Sequence, residues 1–264
     1  MLQGSIVALV TPMRADGSID WEAHERLVQW HVESGTAGVV PMGTTGESAT
    51  LNTHEHLEVI SRTIEVANGR ISVVAGTGSN STEETLHQTK EAESLGADAC
   101  LLVTPYYNRP TQEGLYAHFK KVAETTSVPL VLYNVPGRTG CDLLPETIGR
   151  LSSIEGIVGI KEASGKIERV SEIRSVSASD FFILSGEDAL TLEMMNNGAV
   201  GTISVTANVL PKAMAEFCDS FLSGNIKRAS AIDEVLQSVH EILFIESNPT
   251  PAKWALHQMG IIHE

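Results

Sequence analysis

One lysine in this chain ends an apolar, β-branched run: Lys161, in Gly156–Ala163 (GIVGIKEA), behind Ile157, Val158 and Ile160. The other lysines, Lys90, Lys120, Lys121, Lys166, Lys212, Lys227 and Lys253, stand in polar, helix-like or loop stretches. Burial at a strand end disfavours the ammonium form and leaves a nucleophile able to attack a carbonyl carbon. A free lysine, with a pKa of about 10.4, is neutral in only about one molecule in 2,500 at pH 7, so lowering the pKa is what imine chemistry needs. The plain alternative is a solvated strand-end lysine paired with Glu162.

Making and resolving a carbinolamine moves protons, and hydroxyl groups can carry them. Candidates are Tyr133 in YNVPGRTG (Tyr133–Gly140), Thr44 in GTTGES (Gly43–Ser48) and Tyr107 in TPYYNRP (Thr104–Pro110). Thr45 and nearby backbone N–H groups suit a small carboxylate, and Arg138, in a Pro-Gly loop, offers a planar fork for a second one. Each has an ordinary alternative: rim tyrosines pack, loop arginines are solvated, glycine-rich turns are only turns. Other chemistry is poorly served. GTGSN after the third strand lacks the full dinucleotide pattern, and there is no Walker loop. His54 and His56 are two apart on a helix and face different ways. Where a barrel usually holds phosphate, late in the chain, Glu187 and Asp188 stand in SGED, which speaks against a phosphorylated substrate.

These residues converge only if the elements bearing them do. Short apolar runs alternate with amphipathic stretches: strands are expected at Ser5–Val10, Gly38–Met42, Ile71–Ala75, Ala99–Thr104, Leu130–Asn134, Ile157–Lys161, Phe181–Ser185 and Val200–Val205. The segments between show helical period, as in Trp21, Leu27, Val28, Trp30 and Val32, and some carry start signals, such as Asp20 and a capping box at Ser81 with Glu84. Eight β/α units give a closed (β/α)8 TIM barrel or a doubly wound open sheet; even unit size and a length of 264 residues favour the barrel, an α/β fold. The candidate residues then sit on loops at one mouth. Further helices are expected at Lys212–Phe221, Ile226–Phe244 and Ala252–Met259, broken at Ser247–Pro251 by prolines. This divides the chain into a barrel domain at 1–224 and a C-terminal helical extension at 225–264.

Composition narrows the partners. A net charge of −15 excludes a basic nucleic-acid footprint and disfavours anionic membranes, so a site for an anion must supply its own positive charge. With 42% apolar residues the chain can bury a large core, yet no run nears the ~18 residues that span a bilayer. Cys100, Cys141 and Cys218 have no CxxC pairing and read as reduced thiols in a cytoplasmic protein.

Together GTTGES, YNVPGRTG and GIKEASG (Gly159–Gly165), with VALVTP, GTISVTAN and NPTPAKWAL, resemble the dihydrodipicolinate synthase family of pyruvate-dependent class I aldolases. The resemblance implies a homotetramer that condenses pyruvate with L-aspartate 4-semialdehyde on the way to diaminopimelate and lysine, with no metal or organic cofactor. It implies that Lys161 forms the imine, that Tyr133 is the general acid/base, and that Thr44 and Tyr107 complete a relay, Tyr107 reaching across a subunit boundary. Thr45 is implied to hold the pyruvate carboxylate and Arg138 that of the semialdehyde, with Gly186 and Ile203 lining the pocket. Arg138 separates this reading from N-acetylneuraminate lyases and keto-deoxy sugar acid aldolases, which resemble the chain at the lysine and tyrosine but typically lack that arginine. Ser48, Ala49, Leu51, His56, Gly78, Asn80, Glu84 and Tyr106 match positions that hold lysine as a feedback inhibitor; otherwise His56 and Glu84 are ordinary exposed helix residues.

Overall fold

The computed structural model describes residues 2–263. Each apolar run becomes a short parallel strand and each amphipathic stretch a helix outside it. The first half runs β1 (Gly4–Ala8), α1 (Trp21–Glu33), β2 (Gly38–Val40), α2 (Thr53–Ala67), β3 (Ser72–Gly76), α3 (Thr82–Leu95), β4 (Ala99–Val103), α4 (Gln112–Ala123). The second runs β5 (Leu130–Asn134), α5 (Pro136–Thr139), α6 (Pro145–Leu151), β6 (Ile157–Glu162), α7 (Glu168–Val176), β7 (Phe182–Ser185), α8 (Thr191–Asn196), β8 (Gly201–Ser204). Helices α9 (Pro211–Leu222), α10 (Ile226–Ile242) and α11 (Thr250–Gln258) follow. The strands pair in chain order and close β8 onto β1, giving the (β/α)8 barrel. No helix among the described residues is long and apolar enough to cross a membrane.

Strand alternation makes two cores. Ile6, Val74, Leu101, Val131, Phe182 and Leu184 fill the barrel interior, while their neighbours Val7, Val73, Leu102, Leu132 and Ile183 face the helices. The layer between sheet and helices holds most of the largest fully buried side chains, among them Phe119, Leu102 and Leu115, each contributing roughly 1.5–3 kcal/mol by leaving water. Gly159 faces inward, where a Cβ would lie 2.4 Å from the Phe182 ring, so glycine is what lets Phe182 plug the barrel floor.

The departures from expectation have local causes. β2 stops at Val40 rather than Met42, because Pro41 has no N–H to pair and Met42 turns to φ 58°. The YNVPGRTG stretch, read as a loop, contains the single-turn helix α5, with Pro136 at its first position. The expected capping box at Ser81 is only half made: the Ser81 side chain accepts from the Glu84 N–H, but the Glu84 carboxylate takes the Ser79 hydroxyl instead, at 2.6 Å. A full box forms at Asn52 and Glu55, opening α2.

Several histidines are buried neutral, each against a threonine hydroxyl: His24 on Thr63 at 2.9 Å, His31 on Thr36 at 3.0 Å, His118 on Thr82 at 2.8 Å. Burial holds His24 to about 4, His31 to about 3 and His118 to about 4, against 6.5 in the free side chain. The unfolded chain therefore takes up protons that the folded chain refuses, so the stability these groups confer is complete above pH 6.5 and falls as pH drops toward 4. Each adds a slope of about 1.4 kcal/mol per pH unit in that window. Urea midpoints should fall steeply between pH 6.5 and 5, and His31→Asn should flatten the dependence; an unchanged slope in that variant would count against this origin.

Candidate active site

The C-terminal ends of the strands meet at one mouth, and β6 delivers Lys161 to it. Tyr133 on β5 lies in register with Lys161, and Leu184 on β7 flanks it on the other side. Alternation sends Lys161 into the barrel and Glu162 out, so the two do not pair as a strand-end ion pair. Lys161 is 6% exposed, Tyr133 is 7% exposed, and the Lys161 Nζ lies 4.4 Å from the Tyr133 ring centroid.

The outward-facing residues hold this pair of strand ends. Glu162 accepts from Ser164 N–H at 2.7 Å and from Asn134 Nδ2 at 3.1 Å. Asn134 Nδ2 also reaches Asp142 at 2.9 Å, and Asp142 takes Arg169 through two 2.9 Å bonds. Burial pushes Glu162 up, with its hydrogen bonds pulling the other way. Burial also acts upward on Asp142, but the hydrogen bonds from Arg169 and Asn134 outweigh it and hold that carboxyl below its usual range. The result is a buried, bonded clasp behind the residues that face the cavity.

Inside the mouth, a cavity of roughly 80 Å³ is lined by Lys161, Tyr133, Thr44, Thr45, Arg138, Gly186, Glu187 and Ile203, among others. At ~10–15 Å³ of such space per water, it is a volume for a molecule of a few heavy atoms. Gly186 is what gives Lys161 room: a Cβ there would meet Ala163 Cβ at 2.6 Å and Lys161 Cε at 2.9 Å. A larger adjoining cavity of roughly 400 Å³ shares Thr44, Tyr133 and Arg138 and runs out to Ser48, Ala49, Gly78 and Tyr106. Positive charge for an anion comes from the Arg138 guanidinium, which lines both cavities, as an acidic chain requires.

The structure does not bring every candidate together. Tyr107 is 90% exposed, with φ 72°, and lines neither cavity of its own chain. Of the candidate lysine-site residues, Leu51, His56, Asn80 and Glu84 stand outside the larger cavity. His56 is buried, not an exposed helix residue: its Nε2 donates to the Gly76 carbonyl at 2.7 Å, and burial holds it below its ordinary value. Glu84 is exposed and accepts from the Ser79 hydroxyl.

Asp188 explains the acidic SGED loop. It is buried, and its Oδ2 accepts from Val205 N–H at 2.9 Å and Thr206 N–H at 2.8 Å. The backbone donors after β8, where other barrels hold phosphate, already serve the protein's own carboxylate. Among the polar and aromatic cavity residues, Phe244 and Asn248 escape a reading of the sequence, and Glu187, read there only as an obstacle to phosphate, proves to line the chamber. Glu187 is pushed up by burial, with Lys161 nearby acting in the opposite sense. Phe244 and Asn248 come from the connection between α10 and α11, and nothing in their spacing ties them to residues some 200 positions earlier.

The arrangement combines a buried primary amine, a phenol facing it, hydroxyls and a guanidinium in one small chamber, the set needed to form an imine with a keto acid. The profile of the Dihydrodipicolinate synthetase family matches residues 1–264. A protein of Methylococcus capsulatus named 4-hydroxy-tetrahydrodipicolinate synthase is 57% identical over 264 residues, covering 100% of this chain and 91% of the relative. The dihydrodipicolinate synthase of Acinetobacter baumannii, solved in complex with pyruvate, superposes with a TM-score of 0.97 at 53% identity, covering 99% of this chain and 90% of that one. The enzyme from Cyanidioschyzon merolae, solved with lysine bound, gives a TM-score of 0.95 at 39% identity, covering 98% and 89%. With the profile matched end to end and the lysine, phenol and glycine of its motifs gathered at one barrel mouth, this chain belongs to the dihydrodipicolinate synthetase family.

Proposed function

We propose that the protein is a 4-hydroxy-tetrahydrodipicolinate synthase, condensing pyruvate with L-aspartate 4-semialdehyde in the diaminopimelate route to lysine. The observation that carries this reading is the buried Lys161 amine set in a small chamber against Tyr133, with Thr45 and Arg138 in its lining. Lys161 attacks the keto carbon, the carbinolamine loses water, and the imine loses a methyl proton to become an enamine. The enamine carbon attacks the semialdehyde carbonyl, and the amino group of the semialdehyde portion then displaces Lys161 from the imine carbon, closing the ring and regenerating the amine, so that one water is lost overall. Tyr133 gives and takes the protons, with Thr44 beside it in both cavities. Thr45 binds the pyruvate carboxylate, and Arg138 takes that of the semialdehyde in the outer cavity, while Gly186 and Ile203 shape the inner chamber. An uncharged polyol would have no use for Arg138 there, which sets the sugar-acid aldolases second. Only the chain's own side chains enter this scheme.

A phenol that is 90% exposed in a single chain, on a loop beside the outer cavity, suits a relay finished by another copy. In this reading Tyr107 crosses a subunit boundary in a homotetramer, and the barrel at 1–224 and the extension at 225–264 work as one unit. Lysine acts as feedback inhibitor where Ser48, Ala49, Gly78 and Tyr106 open toward the surface, with Leu51, His56, Asn80 and Glu84 from neighbouring turns completing the site. Millimolar lysine should lower turnover, and Glu84→Ala should raise the lysine needed for half-inhibition; a rate indifferent to lysine would remove the regulatory part alone.

The direct test is borohydride added with pyruvate, followed by peptide mass analysis. An adduct on Lys161 supports the mechanism, and its absence sinks it. Turnover with aspartate semialdehyde against N-acetylneuraminate then decides the second substrate.

A further inference from the structure

The geometry points to Asn248 as a positioning residue that aims the Thr45 hydroxyl at the keto-acid carboxylate. Asn248 lies between α10 and α11, is 7% exposed and lines both cavities. Its Nδ2 donates to Thr45 Oγ1 at 2.9 Å across 203 residues of sequence. Its backbone carbonyl accepts from Arg138 Nη2 at 3.2 Å. One residue of the C-terminal segment therefore touches both side chains assigned to carboxylates. The segment is held in place by a further ion pair, Lys253 Nζ to Glu47 at 2.7 Å, which joins α11 to the loop bearing Thr45.

A hydroxyl has one proton to donate and two lone pairs. The Asn248 amide takes a lone pair of Thr45, and among the described residues the Thr45 hydroxyl donates to no protein acceptor, so its proton is left for an anion in the chamber. Asn248 Oδ1, meanwhile, is buried without a partner. Turning the amide over would give Oδ1 the threonine proton but leave the buried N–H₂ with nothing to bond. The observed orientation instead tolerates one unpaired acceptor and keeps Thr45 a donor toward the substrate.

This inference rests on the keto-acid reading above and makes a prediction that size alone reverses. Asn248→Asp is nearly isosteric, yet it supplies only acceptors: it would capture the Thr45 proton and set a negative charge near the substrate carboxylate. Asn248→Ala merely removes the guide. The readout is the pyruvate concentration giving half-maximal borohydride adduct, with KM and kcat alongside. Asn248→Asp should raise half-saturation and KM about tenfold to hundredfold, more than Asn248→Ala does, with kcat changed less. Adding Asn248→Ala to Thr45→Val should raise it no further than Thr45→Val alone. An Asp variant milder than the Ala variant, or multiplying effects in the double variant, would overturn the inference in favour of simple packing. So would unchanged pyruvate binding in Thr45→Val, a variant that remains informative if the Asn248 variants fail to fold. A wild-type protein giving no adduct at all would instead remove the keto-acid reading itself.

Discussion

Lys161→Ala is expected to abolish the borohydride-trapped pyruvate adduct and to lower kcat/KM by on the order of 10⁴-fold or more, the scale seen when a covalent nucleophile is lost. That corresponds to about 5.5 kcal/mol of transition-state stabilisation. Lys161→Arg should fail equally, since a guanidinium keeps the charge but does not form the imine. Neither change should unfold the protein: the amine rests against the Tyr133 ring, and taking a polar group out of a buried chamber relieves desolvation as it removes packing. Thermal melts within a few degrees of wild type, with no adduct, would place the loss in chemistry. An Ala variant retaining a tenth of the activity would show that the amine is not the nucleophile.

Tyr133→Phe is expected to lower kcat by roughly 10²–10⁴-fold, the usual worth of a positioned proton donor and acceptor, with KM for pyruvate moving little. The ring belongs to the buried cluster of the barrel interior that includes Leu101, Val131 and Leu184, and phenylalanine keeps its place there, so only the hydroxyl is removed. Adduct should still form on Lys161 but more slowly, because the amine is intact while dehydration of the carbinolamine has lost its proton source. Stopped-time trapping separates the two cases. An adduct forming at the wild-type rate would move the proton-transfer role from Tyr133 to another group. Glu187 would then be the residue to examine, being a carboxyl in the same cavity that burial pushes up.

Much of this site was legible in the residues themselves. A lysine at the end of an apolar run reads as buried from its neighbours alone, but its direction also needed the register shift in β6, which lets Gly159 and Lys161 face inward although Ile157 faces the helices. Glu162, one residue on, then turns to the clasp behind. The eight-fold rhythm of runs and amphipathic stretches gave the closed barrel, and the barrel carried Thr44, Tyr133, Arg138 and Lys161 to one face. Boundaries were less readable: β2 ended early because backbone conformation at Pro41 and Met42 overrode the apolar pattern, and the Glu84 carboxylate was drawn from its expected cap by a nearer hydroxyl, that of Ser79.

What the chain determined alone is the periodicity, and with it the fold and the identity of the groups facing the mouth, because period and burial are properties of adjacent residues. What only the tertiary structure decided is the company those groups keep. Asn248 meets Thr45 across 203 positions, the Asp188 carboxylate fills the donors that a phosphate would need, and a missing side chain at Gly186 makes room for Lys161. Contacts between segments far apart in sequence arise from how closed strands and outer helices pack in three dimensions, and no local pattern of residue types encodes them.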